Sequence, residues 1–225
     1  MYERIFDHNM QMQLNDFFIN EISHLGKMIS VKKGQIINPK GANNIYLVIE
    51  GELNELMYSI NGDEIIFFRI TRGSIFNEED FFDNNRTHIV YKAITNSKVS
   101  IVDRDTLEKL LYNNPNMYKY FLKSIILKQR LIMMEISNYK FNDSTGKVAD
   151  FLIRLYFTED KNIDSKNHIS IILTHEEIAN RVGLNRATVT KIINNFKSQD
   201  IIYTREREII INDIEKLIKL SNLHV

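Results

Sequence analysis

The chain has 225 residues, of which 44% are hydrophobic and 26% charged, and its 29 basic residues balance its 29 acidic ones. This length favours two domains of about 100 residues each. The sequence contains no cysteine, which excludes disulfides, a reactive thiol and cysteine-ligated iron–sulfur clusters. The N-terminus lacks the apolar segment of a signal peptide, and no run approaches the roughly 18 apolar residues of a membrane helix, so we expect a cytoplasmic protein.

The charges are unevenly distributed along the chain. Residues 1–112 hold twelve basic and sixteen acidic residues, residues 113–142 five basic and one acidic, and residues 143–225 twelve of each. There is therefore no basic tail for nonspecific wrapping of nucleic acid. A sequence-selective DNA-binding protein can still work with a local basic surface, because it needs few phosphate contacts per half-site.

The N-terminal half is predicted to be mostly β-structure. Residues 9–29 have apolar positions at helical spacing and predict one or two short lead-in helices. From Ile29 the pattern changes to short runs separated by turns, with a strong hairpin signal at Asn61 and Gly62 and a bend or bulge at Gly51. Such runs predict an antiparallel sandwich or barrel, hence an α+β protein, and a scaffold without any ligand remains an alternative. The predicted strands are Gln35–Asn38, Ile45–Glu50, Glu52–Ser59, Glu64–Ile70, Thr87–Ala93 and Ser97–Asp103.

A long helix is predicted to join the two halves. A short helix over Thr106–Leu111 precedes it, and Met117–Tyr139 then runs without a helix breaker. At 1.5 Å per residue the long helix would measure roughly 35 Å. Its apolar residues lie on more than one face, which calls for two partners, its own β-domain and a symmetry mate; a core helix within one subunit is the alternative. The segment Asn142–Ser144 then breaks the pattern and is predicted to be a hinge.

The stretch from Leu173 to Phe196 fits a helix-turn-helix at each structural position. Thr174 and Glu177 have the spacing of a capping box at the start of the first helix. Gly183 can take a positive φ at the turn, and Asn185 is a good N-cap for the second helix. An ordinary αα-hairpin with a polar outer face is the alternative, but we expect DNA binding.

The second helix of the motif would present polar side chains outward, where they can reach phosphates and base edges in a major groove. Thr174 and Asn185, at the two helix starts, and Arg205, further along the chain, are also expected to contact DNA. The outward residues of the second helix are Arg186, Ala187, Thr188, Thr190, Lys191, Asn194 and Asn195.

Beyond the motif, Ile201–Thr204 and Glu208–Asn212 flank a charged turn and predict a β-hairpin wing. Asp213 is expected to cap a last amphipathic helix over Ile214–Leu220. Three basic residues near the wing are expected to be phosphate contacts or solvated charges: Lys197, Arg205 and Arg207.

This order of parts resembles the Crp/Fnr superfamily of bacterial transcription regulators over essentially the whole chain. The resemblance lies in IYLVIEGEL (Ile45–Leu53), the Gly73 turn with Glu78 after it, STGKVADFLIRL (Ser144–Leu155) and the helix-turn-helix. It implies a homodimer with a cyclic-nucleotide-binding-like, effector-binding β-roll over residues 1–112, a dimerisation helix and hinge over 113–142, and a winged helix-turn-helix over 143–225. It also implies a palindromic DNA site, RNA polymerase as a partner, and a function that is activating rather than repressing.

The cyclic-nucleotide branch of this family carries a phosphate cassette similar to G-E-(x)n-R-S. Here the first pair reads Asn77-Glu78, and Arg86-Thr87 follows after a shorter loop. Glu78 and Arg86 could hold parts of a nucleotide by this resemblance, but Asn77 has a side chain where backbone must approach the nucleotide.

The residues that would meet the base also differ from the cyclic-nucleotide pattern. Aligned from the hinge motif, Ile132 and Met133 replace a polar Thr-Ser pair and offer no hydrogen bonds to adenine, so cyclic AMP is disfavoured. The lack of cysteine excludes the oxygen-sensing branch. A lone strand histidine, His88, is a weak candidate for haem ligation, so we expect no cofactor.

What remains by this resemblance is an apolar effector pocket between the β-roll and the long helix. Thr87, Ile89 and Tyr91 share one strand face, with Ile132 and Met133 as their partners on the helix. With such a pocket the chain is similar to the branches of the family that sense apolar or aromatic molecules, including halogenated phenols, or that act with a non-nucleotide activator. Plain core packing explains the same residues equally well, and a regulator that binds DNA without any ligand is the rival version.

The predicted recognition helix departs from the commonest pattern of the family at one position. Arg186 and Lys191 keep its basic residues, but Ala187 stands where a glutamate would be. Alanine cannot accept a hydrogen bond from a cytosine amino group, although its methyl can contact thymine. We therefore expect a palindrome related to that of the family but altered at the base pairs facing Ala187.

An enzyme is disfavoured by the sequence. There is no Ser-His-Asp context, no cluster of His, Asp and Glu at metal-binding spacing, and no glycine-rich phosphate loop. A pure protein-interaction module would leave the basic residues of the second helix without a purpose.

Overall fold

The computed structural model describes residues 8–39, 41–62, 64–158, 170–205 and 208–221. The chain divides into two compact units, Asn9–Gln129 and the part from Arg130 onwards. The division falls inside the predicted joining segment 113–142.

The N-terminal unit is built on two four-stranded antiparallel sheets, as the sequence predicts. One sheet has the strand order β1-β8-β3-β6 and the other β2-β7-β4-β5. The strands are β1 (Lys27–Val31), β2 (Ile36–Ile37), β3 (Asn44–Glu50), β4 (Leu53–Tyr58), β5 (Glu64–Ile70), β6 (Ile75–Phe76), β7 (Val90–Ala93) and β8 (Ser97–Asp103).

Helical segments accompany these sheets. The lead-in region forms one α-helix followed by a π-helical and a 3₁₀ turn, rather than two separate helices. The segments are α1 (His8–Phe17), the π-turn Phe18–Ile22, the 3₁₀ turn Ser23–Leu25, α2 (Glu78–Asp83), α3 (Arg104–Asn113), the 3₁₀ turn Pro115–Met117 and α4 (Tyr118–Phe141).

Two predictions about turns in this unit are confirmed. β4 and β5 pair antiparallel on either side of Asn61 and Gly62, from Leu53 opposite Ile70 to Tyr58 opposite Glu64, with a register shift between Glu55 and Leu56. Gly51 has φ +82°, and a Cβ at this position would lie 2.3 Å from Ser97 Oγ, so no larger residue fits there without rearrangement.

Several features of this unit differ from the prediction, including the two-residue strand β6, which was not predicted. β1 was missed because of its five residues only Val31 is buried, which leaves no alternating apolar pattern. α2, with six residues, is too short to show a helical period. β7 begins at Val90 instead of at Thr87, because the Thr87 amide donates to Asp80 Oδ1 (3.0 Å) rather than to a neighbouring strand.

Two hydrophobic clusters stabilise the N-terminal unit. The first joins the lead-in helix to α4 through aromatic contacts, with the rings of Phe18 and Phe121 5.2 Å apart. The second lies between the sheets around Phe76, whose ring is 4.4 Å from that of Tyr91. Because Phe121 is buried in the first cluster, the first part of α4 is covered by its own β-domain on one side.

Another side of α4 is left uncovered. The helix continues for 24 residues to Phe141. Tyr118 and Phe141, at the two ends of the helix, are 43% and 63% exposed. Between them, six further apolar side chains are between 40% and 79% exposed, namely Leu122, Ile126, Ile132, Met133, Ile136 and Tyr139.

The C-terminal unit contains the predicted helix-turn-helix and wing. Its three-stranded sheet has the order β10-β11-β9, in which the short strand β9 was not predicted. The predicted loop Thr158–Asn167 lies outside the described residues except for Thr158, and so do Glu206 and Arg207 of the predicted turn. The elements are α5 (Ser144–Thr158), β9 (Ser170–Ile172), α6 (His175–Val182), α7 (Arg186–Ser198), β10 (Ile202–Arg205), β11 (Glu208–Ile211) and α8 (Ile214–Leu220).

The segment predicted to be a hinge does interrupt the helices. Only Asn142 and Asp143 separate α4 from α5, and Ser144 already begins α5. Asn142 is buried, and its Nδ2 donates to Asn138 Oδ1 at 2.7 Å. Asp143 Oδ1 accepts from the Gly146 amide at 2.8 Å, which caps the start of α5.

Candidate DNA-binding surface and effector site

Local hydrogen bonds set the start of both helices in the helix-turn-helix. Thr174 Oγ1 accepts from the Glu177 amide (3.2 Å), and Glu177 Oε2 accepts from the Thr174 amide (2.8 Å), so the capping box is complete. Gly183 ends α6 with φ +66°. Asn185 Oδ1 accepts from the Thr188 amide (2.8 Å) and caps α7. These contacts confirm the predicted motif, and they engage the side chains of Thr174 and Asn185 within the protein.

Packing of the two helices decides which side chains point outward. The inner face of the pair is apolar and buried, and it consists of Ile178, Ala179, Val189, Ile192, Ile193 and Phe196. The opposite face of α7 carries exposed side chains, namely Arg186, Ala187, Lys191, Asn194, Asn195 and Lys197. An exposed polar helix face held on a buried apolar base is the arrangement that places side chains in a major groove.

The remaining residues predicted to contact DNA have different surroundings. Arg205 is exposed at the end of β10. Thr188 is only half-buried, on the flank of α7. Thr190 is also half-buried, and its Oγ1 donates to the Arg186 carbonyl (2.9 Å) and lies 2.9 Å from His175 Nδ1.

Sequence reasoning missed His175, the first residue of α6. Burial lowers the pKa of its imidazole, and the positive charges of Arg186 and Lys197 lower it further. His175 directly follows Thr174, the N-cap of α6. This position is the sequence signal that could have placed the histidine next to α7.

In the N-terminal unit, the start of α2 holds a buried carboxylate. Asn77, just before it, has φ +66°, and its Nδ2 donates to the Asn44 carbonyl (2.9 Å) while its amide donates to Tyr91 Oη (3.1 Å). Glu78 follows and is fully buried. The Asn77 side chain is thus buried and hydrogen-bonded within the protein.

Glu78 is one member of a buried ion cluster. Lys128 Nζ lies 2.7 Å from Glu78 Oε1 and 3.3 Å from Glu55 Oε2, and it stands 5.7 Å from the ring of Phe68. The contact with Glu78 is an ion pair without hydrogen-bond geometry, and Glu78 Oε2 has no hydrogen-bond partner among the described residues. We call Glu55, Glu78 and Lys128 the buried triad.

The buried triad shifts the pKa values of its members. Burial raises the pKa of Glu78 to about 7, although the ammonium of Lys128 opposes this rise. Burial also raises the pKa of Glu55. For Lys128 burial favours the neutral form, but the carboxylates of Glu78, Glu55 and Glu79 outweigh it and raise its pKa, so the ammonium is retained.

Neither Glu55 nor Lys128 was selected from the sequence. Lys128 lies seven residues after the buried Phe121 and therefore on the same face of α4, which is the signal that could have identified it. Glu55 occupies an inward position of β4, where a carboxylate needs a partner.

The residues predicted to line an effector pocket have different surroundings in the structure. Arg86 is exposed, with Nη2 3.4 Å from Asn38 Oδ1, and Thr87 and His88 are exposed beside it. The remaining predicted residues differ in burial: Ile89 is half-buried and Tyr91 belongs to the core, whereas Ile132 and Met133 are exposed residues of the C-terminal unit. Tyr91 therefore packs in the hydrophobic core, which is the alternative that the sequence left open for this residue.

Two family models match the chain in the order of its units. Residues 28–114 match the cyclic nucleotide-binding domain, and residues 146–220 match the Crp-like helix-turn-helix domain. A domain of the first kind followed by a DNA-binding domain of the second defines a DNA-binding transcription regulator. The chain belongs to the Crp/Fnr family of such regulators.

Individual relatives agree with this assignment. The chain is 23% identical over 197 residues to the cAMP-activated global transcriptional regulator CRP of Haemophilus influenzae, with 87% of each chain covered. Its fold is similar to that of a CooA mutant from Carboxydothermus hydrogenoformans (TM-score 0.75, 20% identity, 93% and 95% of the two chains). It is also similar to CprK complexed with OCPA (TM-score 0.72, 15% identity, 88% and 91%). The H. influenzae relative is a transcription regulator rather than an enzyme.

Within the described residues, no helix has both the length and the hydropathy needed to cross a membrane. The same part of the chain holds no group of three or more His, Asp or Glu side chains arranged for a metal ion.

Proposed function

We propose that the protein acts in the cytoplasm as a homodimer that binds a palindromic DNA site, contacts RNA polymerase and activates nearby promoters in response to a small-molecule effector. The exposed polar face of α7, which begins at the Asn185 N-cap and rests on a buried apolar base, is the observation that carries the DNA-binding part. The predicted contacts to DNA are those of Arg186, Ala187 and Lys191, with Arg205 beside them.

The exposed side of α4 supports the homodimer. Six apolar side chains along 24 residues are a costly surface for water to cover, and a second copy of the same helix would bury them. A two-fold axis along this helix would also pair two recognition helices, which a palindrome requires at a spacing of about 34 Å.

A selection of bound sequences from random duplex DNA tests this proposal. Purified protein is expected to enrich a two-fold symmetric motif that differs from the family pattern at the base pairs facing Ala187. A motif without symmetry would contradict the dimeric reader, and no enrichment with or without added effector would contradict DNA reading by α7.

The effector is proposed to be a molecule without a phosphate, apolar or aromatic rather than a cyclic nucleotide, and no haem or other cofactor is expected. The polar interior of the β-roll carries the carboxylates of Glu55 and Glu78 with a single ammonium, which disfavours an anionic phosphodiester. Arg86, the residue that could bind a phosphate, lies at the surface beside Asn38.

A specific observation favours the alternative of a regulator that binds DNA without any ligand. Lys128 already supplies the positive charge that the two buried carboxylates need, so this part of the β-roll is occupied by the chain itself. If this alternative holds, protein stripped of small molecules will bind its operator fully, and neither cyclic AMP nor a halogenated phenol will change the affinity. An increase in affinity with the phenol alone would instead support the apolar effector.

A further inference from the structure

One side-chain contact joins the two helices of the DNA-binding motif. His175 Nδ1 on α6 lies 2.9 Å from Thr190 Oγ1 on α7, and the same oxygen lies 2.9 Å from the carbonyl of Arg186. The threonine hydroxyl has a single hydrogen, and a carbonyl can only accept. Both contacts are satisfied only if Thr190 donates to Arg186 and His175 Nδ1–H donates to Thr190.

This assignment of hydrogens gives the two ring nitrogens of His175 different roles. Nδ1 carries the hydrogen that holds Thr190 in both the neutral and the charged form of the ring. Nε2 has no hydrogen-bond partner in the described part of the chain, and it is the nitrogen that gains a proton when the ring becomes charged. Protonation therefore leaves the contact between α6 and α7 intact and adds a donor and a positive charge at Nε2.

Because of this contact, the hydroxyl of Thr190 is not available to contact a base. Its hydroxyl is committed to His175 and to the carbonyl one turn earlier, so it positions α7 instead of contacting a base. His175 thus lies on the flank of α7 between Arg186, at the start of the helix, and Lys191, which follows Thr190.

The charged groups around His175 favour its neutral form in the protein alone. In the protein alone it faces Arg186 and Lys197 of α7, and burial together with these two cations lowers its pKa. On its own helix, Glu176 and Glu177 are the neighbouring acidic residues, and the Glu177 carboxylate is engaged by Thr174. A DNA phosphate near Arg186 would compensate both cations and favour the charged imidazole.

We propose that His175 is a DNA-positioning residue that couples operator binding to proton uptake: Nδ1 holds the recognition helix through Thr190, and Nε2 becomes protonated and donates to a backbone phosphate. The inference rests on the assignment of α7 as the DNA-reading helix. The predicted consequence is an operator affinity that rises as the pH falls, because the bound form holds the proton more tightly than the free form.

The experiment compares full-length wild-type protein with His175→Asn between pH 8 and pH 5.5. The asparagine amide can reach Thr190 from the position of Nδ1 but cannot take up a proton. We expect wild-type affinity for the selected operator to rise about tenfold toward low pH for each unit by which DNA raises the histidine pKa. The slope of log affinity against log salt should steepen by about 0.9 over the same range, because one more phosphate is neutralised.

The difference between wild type and His175→Asn isolates this residue from the other histidines. Equal pH dependence and equal salt slopes in the two proteins, with strong operator binding in both, would overturn the proposal and leave the DNA-binding function standing. Loss of operator binding by wild type at every pH would overturn both. Thr190→Val keeps the branched shape but removes the hydroxyl, and it should weaken binding at all pH values without abolishing the pH dependence.

A direct titration keeps the inference testable if His175→Asn folds poorly. The NMR resonance of the His175 ring should show a pKa below the usual value of about 6.5 in the protein alone and a higher one in the operator complex. An unchanged pKa on DNA binding would contradict proton uptake at this site.

Discussion

Replacing both Arg186 and Lys191 by alanine is expected to abolish selective operator binding and leave the fold intact. Both side chains are exposed on α7, so their removal creates no cavity. A side chain that contacts a base contributes about 1–3 kcal/mol, and one that contacts a phosphate adds about one unit to the salt slope. Titration of labelled operator DNA at several salt concentrations therefore separates the two roles, with each single variant measured beside the pair.

A matched control exists on α8 of the same unit. Lys219→Ala removes the same charge from another exposed position, on a helix that packs against α5 instead of forming the outer face of the motif. We expect it to leave operator affinity nearly unchanged. Wild-type operator affinity in the Arg186→Ala, Lys191→Ala pair would show that α7 is not the helix that reads the operator.

The helix-turn-helix could be predicted from sequence because its determinants are local. Thr174 with Glu177, Gly183 and Asn185 each act within one turn of their own position, and the structure confirms all of them. The hairpin at Asn61 and Gly62 is local in the same sense. Residue type and spacing suffice for such features, because no distant partner is needed.

The interactions that sequence reasoning missed join distant parts of the chain. Lys128 reaches Glu55 over 73 positions, and His175 reaches Thr190 over 15. The local signals at Lys128 and His175 identify a helix face and a helix start but not the partner residue, since a lysine on a helix or a histidine near a helix start is usually solvated. Their contacts depend on how sheets and helices pack, which a single sequence does not specify.

Lys128→Met is expected to destabilise the N-terminal unit by about 3–5 kcal/mol at pH 8, because it leaves two buried carboxylates without a positive charge. Methionine keeps most of the volume of the lysine stem. The free energy of unfolding from urea titration measures the effect. Lys123→Met makes the same substitution at an exposed position of α4 and should change the stability little.

The pH dependence of this loss follows from the raised pKa of Glu78. Its folded-state pKa of about 7 exceeds the ordinary glutamate value of 4.5, so the folded state binds the proton more tightly and the free energy of unfolding falls as the pH rises between these values. At pH 5 Glu78 is protonated and needs no counterion, whereas at pH 8 it depends on Lys128. The difference in stability between wild type and Lys128→Met should therefore be smaller at pH 5 than at pH 8, because at pH 5 only Glu55 can still depend on Lys128.

Neutralising the rest of the buried triad should reverse the effect. In Lys128→Met combined with Glu55→Gln and Glu78→Gln, no charge remains to be compensated, and replacing a whole buried ion cluster by neutral groups is often neutral or stabilising. Recovery at pH 8 would show that uncompensated carboxylates cause the loss. A combined variant as unstable as Lys128→Met alone would instead assign the loss to another contact of the lysine, such as that of its ammonium with the ring of Phe68. Operator binding by the recovered variant without any added molecule would further separate the stabilising role of Lys128 from a role in effector response.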